Sequence, residues 1–206
     1  VSPIKLLKSG SGKSIIGETV NIWNEQLAKA AAIIIVYRLE FITKLTKHAG
    51  EIIKYLTNNS EDIMLDYVGI KETDKEILRQ KLISEYERTI NKDMELGYTT
   101  IGPHRDDFKI TVNNTDIRHF GSQGQQRTCA LTLKLSEMEV FKENIGEYPV
   151  LLLDDVLSEL DNERQIKLLN RVKEYQTIIT TTKFSFNVPC SYYIVENGKV
   201  KPANNI

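Results

Sequence analysis

Two cysteines, five prolines and one tryptophan are few for 206 residues. Cys129 and Cys190 stand far apart and show no metal-ligand spacing, which excludes a disulfide scaffold and a cysteine-based zinc site. Both are expected to be ordinary buried thiols in a reducing, cytoplasmic setting. Neither sign of charge dominates: 27 Lys+Arg face 28 Asp+Glu, for a formal net charge of -1. No global basic field therefore draws nucleic acid, and any such contact has to come from a local patch. Long hydrophobic runs are missing too. The most apolar stretch, Ala30 to Tyr37, falls far short of the roughly 20 residues of a spanning helix, and no charged, apolar, small-residue leader precedes it. Internal repeats and low-complexity tracts are absent. What remains is a chain with 41% hydrophobic content, enough to bury a core in one large domain or two small ones.

Periodicity organises the chain into three regions. Residues 1–17 read as a flexible linker. Its "KSGSGKS" approaches a phosphate loop, but Leu7 stands where that pattern needs glycine and no apolar strand leads in. Residues 18–96 read as a mostly helical module. Apolar side chains recur at helical spacing through Ile22 or Trp23, Leu27, Ala30 or Ala31, Ile34, Phe41, Leu45 and Ile52, predicting one long helix or two joined near Gly50. The alternating "IMLDYV" suits a strand, and "TDKE" from Thr73 has capping-box spacing for a second helix that Gly97 ends. Residues 97–206 change texture. "VNNT" fits the turn of a hairpin, a helix is expected from about Ser122 to Lys142, and "PVLLLDD", "TIITTT" and "SYYIVENGKV" read as strands around a helix that starts at Asp161. This alternation predicts an α/β fold with parallel pairing.

Two stretches carry chemistry. In "YPVLLLDDVLSELD", Val150 to Leu153 is expected to be a buried parallel strand that delivers Asp154 and Asp155 to its carboxyl end, where α/β sheets place ligands. A hard cation such as Mg²⁺ takes oxygen ligands and shares them with substrate phosphates, which suits Asp154; Asp155 suits orienting or deprotonating water. A bare "DD" more commonly just ends a strand. In "FGSQGQQR", Ser122, Gln123, Gly124, Gln125 and Arg127 open a helix whose unpaired N–H groups and positive dipole end attract anions. A polar loop plus an N-cap accounts for that stretch equally well when it is taken alone.

Together, "GSQGQQR", one amphipathic helix and "LLLDDVLSELD" resemble the signature, Walker B and D-loop segments of ATP-binding-cassette-type heads in the wording of the RecF family, and "GPHRDDF", "WNEQLAK" and "RLEFI" fit the same family. The resemblance runs from about Ile22 to the end. It implies an ABC-ATPase-like head portion with parallel strands plus an α-helical arm. It also implies a DNA repair and recombination protein whose homodimer closes over ATP and Mg²⁺, with Asp154 holding the metal and Asp155 catalytic. Ser122 and its neighbours then contact nucleotide in trans, Ser158 and Asp161 belong to the D-loop, and Thr181 or Thr182 senses the γ-phosphate. His104 and Arg105 are candidates for DNA, though a structural turn with a surface ion pair explains them on physics alone. Further partners implied are single-stranded, double-stranded and gapped DNA and the RecR and RecO mediators.

Two departures temper these expectations. The chain shows no P-loop lysine, and the passage from "VSP" to "KLLK" is abbreviated against the family pattern. The family's full-length protein is expected to be a slow DNA-dependent ATPase, and this chain alone to hydrolyse nothing. The alternative is a non-catalytic interaction or DNA-tethering module of a chromosome-maintenance type.

Overall fold

The computed structural model describes residues 13–183 and 188–203. Most of the expected linker lies outside these residues; from Lys13 the backbone is already helical. The chain divides into two compact units, Val1–Glu147 and Tyr148–Ile206. No helix among the described residues is long and apolar enough to cross a membrane.

The first unit is built on α1 (Lys13–Leu56), an uninterrupted helix of 44 residues that passes through Gly50 without a break. Its buried face is the predicted one only in part: Leu45, Ile52 and Ala31 are buried as expected, and the departure lies in the large residues of the amino-terminal half. Ala28, Ala31, Ala32, Ile35 and Val36 are buried, whereas Trp23, Leu27, Ile34 and Phe41 are each at least 37% exposed. The amino-terminal half of α1 is apolar around much of its circumference, so periodicity alone allows either face to turn inward. Tertiary packing selects the alanine-rich face, because small side chains let a second helix approach closely. That helix is α2 (Lys75–Leu96), which seats Leu78, Leu82 and Tyr86 against the alanines. Its cap differs from the predicted capping box. Asp74, not Thr73, is the N-cap, and its carboxylate accepts from the N–H groups of Glu76 and Ile77. Gly97 ends α2 in the left-handed conformation at φ 79°, as expected from the sequence.

Beyond its midpoint, α1 packs Leu45, Ala49 and Ile53 against an antiparallel sheet of β1 (Ile63–Val68), β2 (Asp107–Val112) and β3 (Thr115–Asp116). The register sets Leu65 opposite Ile110. The predicted hairpin is present: Asn113 and Asn114 take φ 48° and 63°, the paired left-handed residues of a tight two-residue turn. Parallel pairing does not extend to this sheet. β2 finds its partner in β1, on the far side of α2 in sequence, a long-range choice that local pattern does not encode. A short α3 (Ile117–Phe120) leads to α4 (Gln123–Ile145), whose Leu131, Leu135 and Met138 are buried as their spacing predicts.

In the second unit, β4 (Leu151–Asp154) and β5 (Thr177–Thr180) pair in parallel, with Asp154 opposite Thr180. Between them run a 3₁₀ turn (Val156–Glu159), α5 (Asn162–Arg171) and a second 3₁₀ turn (Val172–Glu174). β4 is not buried throughout. Leu151 and Leu153 point inward while Leu152 is 66% exposed, because the described helices cover one face of the pair. The last predicted strand is a hairpin, β6 (Tyr192–Glu196) and β7 (Lys199–Ala203), turned by Asn197 and Gly198 at φ 50° and 72°. The "NG" pair signals such a turn in the sequence. Cys129 is buried, and burial pushes its thiol up to about 11, but Cys190 is exposed, against expectation.

Candidate functional site

Three groups of residues hold the candidates read from the sequence. At the carboxyl end of β4, Asp154 and Asp155 are both exposed, and among the described residues neither enters an ion pair. Asp154 receives the hydroxyl hydrogen of Thr180. Asp155 sits in the left-handed region at φ 50°, a conformation that costs a residue with a Cβ. It is held there from both sides. Its N–H donates to the carbonyl and hydroxyl oxygens of Thr180, each at 3.1 Å, and its carbonyl accepts from the Ser158 hydroxyl at 2.9 Å. Among the described residues its carboxylate has no partner. Asp161 caps α5 by accepting from the Arg164 N–H at 2.9 Å, a bond that holds its carboxyl below the usual range.

Of the threonines read from "TIITTT", Thr181 donates to the Lys183 carbonyl and Thr182 lies exposed in the following bend. Thr180 is the one that touches both aspartate positions. Sequence reasoning passed it over. The signal was available in principle, since parallel neighbours ending at the same level bring their last residues side by side.

At the start of α4, Ser122 and Gln125 form a capping box: the Ser122 oxygen accepts from the Gln125 N–H at 3.2 Å, and the Gln125 side chain accepts from the Ser122 N–H at 3.1 Å. Gln126 is also structural, donating to the Ile117 carbonyl at 3.1 Å. The polar stretch is thus a cap in the ordinary sense. Gln123 and Gly124 are exposed, as is Arg127, and a Cβ placed on Gly124 meets nothing within 4 Å. Gly124 stands in the first turn, where glycine costs a helix less than the roughly 0.5–1 kcal/mol of an interior position, and no described neighbour requires it here.

The third group is the loop that joins α2 to β2. Gly102 takes φ 129°, open to glycine alone, and a Cβ there would stand 3.2 Å from the His104 ring. His104 Nε2 lies 3.1 Å from the Thr99 carbonyl, Arg105 Nε donates to the same carbonyl at 3.2 Å, and the Arg105 guanidinium stacks 4.4 Å from the centre of the Tyr98 ring. Asp106 turns inward to accept from the Tyr67 hydroxyl, while Asp107 pairs with Arg118 at 2.6 Å. Elsewhere in this unit, Arg88 and Lys109 are paired with Glu85 and Asp116.

Among the described residues no group of three or more His, Cys, Asp or Glu side chains is placed to hold a metal ion by itself. One exposed carboxylate with a free oxygen instead fits the donor set of a Mg²⁺ that takes its other ligands from phosphate and water.

No protein-family model matches the chain. It is similar over 202 residues, 95% of its length, to the DNA replication and repair protein RecF of Clostridium botulinum (strain Langeland / NCTC 10281 / Type F), at 46% identity. It is 45% identical over 182 residues, 86% of its length, to the protein of the same name from Alkaliphilus oremlandii (strain OhILAs). Two solved structures of the recombination mediator protein RecF in the RecFOR pathway, one with ATPrS and one with ATP, superpose on 98% of it at a TM-score of 0.82 and 35% identity. The chain spans about half the length of these relatives: 54% and 49% of the two curated sequences, and 54% and 55% of the solved chains.

Proposed function

The chain belongs to the RecF family of DNA replication and repair proteins and has the fold of the solved RecF heads; from that premise we propose that it supplies two complementary parts of ATP sites that close when two heads meet. In this reading Asp154 would hold Mg²⁺, which neutralises phosphate charge when bound. Asp155 positions the attacking water. Its strained backbone, fixed by Thr180 and Ser158, keeps the carboxylate exposed and unpaired, as a water-orienting group requires. Gln123 and Gly124 present helix-start amides to the terminal phosphate of a nucleotide held by the other head, beside the Ser122 hydroxyl that caps the helix. Ser158 and Asp161 shape the D-loop, and Thr181 and Thr182 line the switch strand beyond Thr180. The whole assembly acts on gapped DNA in the cytoplasm with RecR and RecO, and its turnover is that of a slow DNA-dependent ATPase.

The observation that carries this reading is Gly124: an exposed glycine in the first turn of a 23-residue helix, where no described neighbour lies within 4 Å of the position a Cβ would take. A close approach by something outside the chain accounts for it. The test mixes this chain with a full-length RecF-family protein and follows sedimentation with and without ATP. ATP-dependent association is expected, lost in Gly124→Ala although that substitution leaves thermal stability unchanged or slightly raised. Association that ignores ATP, or survives the substitution, sinks the proposal. The rival reading, an interaction or DNA-tethering module without catalysis, draws support from the capping box, which already occupies the Ser122 N–H and its oxygen. It predicts association without ATP.

A further inference from the structure

We propose that Glu61, in the turn between α1 and β1, is a positioning residue of the composite site: it draws the Gln125 side chain off the Ser122 N–H and so frees that amide for the nucleotide phosphate of the other head. The role rests on the reading above, in which the start of α4 meets that phosphate. The capping box stands in the way of the Ser122 amide. Its N–H donates at 3.1 Å to the Gln125 side-chain oxygen, and a backbone amide has no second hydrogen for a phosphate oxygen. Gln125 has to turn away before the amide can serve.

Glu61 is where it turns to. The Gln125 side-chain nitrogen donates to one Glu61 carboxylate oxygen at 3.4 Å, longer than the usual N–H···O separation of about 2.9 Å. The other Glu61 oxygen is buried and, among the described residues, has no hydrogen-bond partner. A buried acceptor without a donor destabilises the resting arrangement, and Gln125 carries two amide hydrogens, so turning from Ser122 lets it approach Glu61 more closely and serve that oxygen. Phosphate arriving at Ser122 replaces an amide oxygen with a charged acceptor. Both exchanges run in the same direction.

Glu61 is itself held in place. Asn113, in the left-handed turn between β2 and β3, accepts from the Asp62 N–H at 2.9 Å and donates to the Ser60 carbonyl at 3.1 Å, so both chain neighbours of Glu61 are pinned. The charge of Glu61 also reaches Cys129, one turn along α4 from Gln125: burial, and then the Glu61 carboxylate, push that thiol up to about 11. The carboxylate therefore lies against the first turns of α4. Glu61 and Gln125 stand 64 residues apart in sequence, and only the tertiary fold joins them.

The experiment measures binding of this chain, fluorescently labelled, to a full-length RecF-family protein at saturating ATP. Glu61→Ala is expected to weaken the association about fivefold, and Gln125→Ala, which uncovers the Ser122 N–H, to strengthen it about fivefold. Glu61→Gln keeps an acceptor oxygen for Gln125 and recovers most of the loss. In the double variant Glu61→Ala adds nothing to Gln125→Ala, because Glu61 acts through Gln125. Should Glu61→Ala melt below the assay temperature, Glu61→Asp, too short to reach Gln125, takes its place with the same expected loss. A role in holding the helix start alone weakens association in both single variants, and that result overturns the proposal. So does a loss from Glu61→Ala that persists undiminished in the double variant. A wild-type chain whose association ignores ATP removes the reading on which the role rests; ATP-dependent wild-type association with both single variants shifted the same way removes Glu61 alone.

Discussion

The Thr180 hydroxyl donates to the Asp154 carboxylate while accepting the N–H of Asp155, so one side chain at the end of β5 fixes both acidic residues at the end of β4. The link crosses the parallel pair at its last register position, where Asp154 lies opposite Thr180. Thr180→Val keeps the shape and removes the hydroxyl. It is expected to lower stability by about 1 kcal/mol and to speed exchange of the Asp155 amide hydrogen, with Thr180→Ser restoring both. Unfolding curves and amide exchange measure the two effects. Equal behaviour of the valine and serine variants would refute the role of the hydroxyl.

Asp155 offers a separate check on its backbone. Glycine adopts φ 50° without strain and alanine does not, so Asp155→Gly should exceed Asp155→Ala in stability by about 1 kcal/mol. Thermal denaturation ranks them. Both substitutions, made at the matching position of a full-length RecF-family protein, are expected to abolish ATP turnover. Turnover retained by either removes Asp155 from the catalytic role.

Tyr67 and Tyr86 give an alkaline signature. Burial raises both phenols from 10.0 to about 12, helped for Tyr67 by its hydrogen bond to Asp106 and for Tyr86 by the charge of Asp106. Folded values above the unfolded value mean that the neutral phenols contribute stability fully present below pH 10 and lost as pH rises from 10 towards about 12. Absorbance of tyrosinate, followed with circular dichroism, should show ionisation and unfolding together in that window.

The same two tyrosines differ at neutral pH. The Tyr86 hydroxyl is buried with no partner among the described residues, so Tyr86→Phe should leave stability unchanged or raise it by about 1 kcal/mol. Tyr67→Phe removes a bond to a carboxylate and should cost about 1.5–3 kcal/mol. Urea denaturation separates them, and a Tyr86→Phe variant as destabilised as Tyr67→Phe would mean that its hydroxyl has a partner after all.

Local signals in the sequence were legible wherever the physics is local. Gly97 as a left-handed helix end, the Asn113–Asn114 turn, the Ser122 cap and the inward face of α4 all depend on a few neighbouring residues, and each is read from the chain directly. The helix of Asp74 was misplaced by one residue because Thr73 and Asp74 are both competent caps. The "NG" of the last hairpin was legible and missed.

What the sequence alone determined, then, is the set of elements and the chemistry at their ends: a carboxylate pair closing an apolar strand, a glycine in the first turn of a helix, and a family likeness carried by both. The tertiary structure decided which face of α1 is buried, which strand β2 joins, that Thr180 rather than its successors meets Asp154, and that Glu61 reaches Gln125. Those choices depend on residues distant in the chain competing for the same contacts. A helix apolar on two sides and a strand with two free edges remain undetermined until a partner settles against one of them.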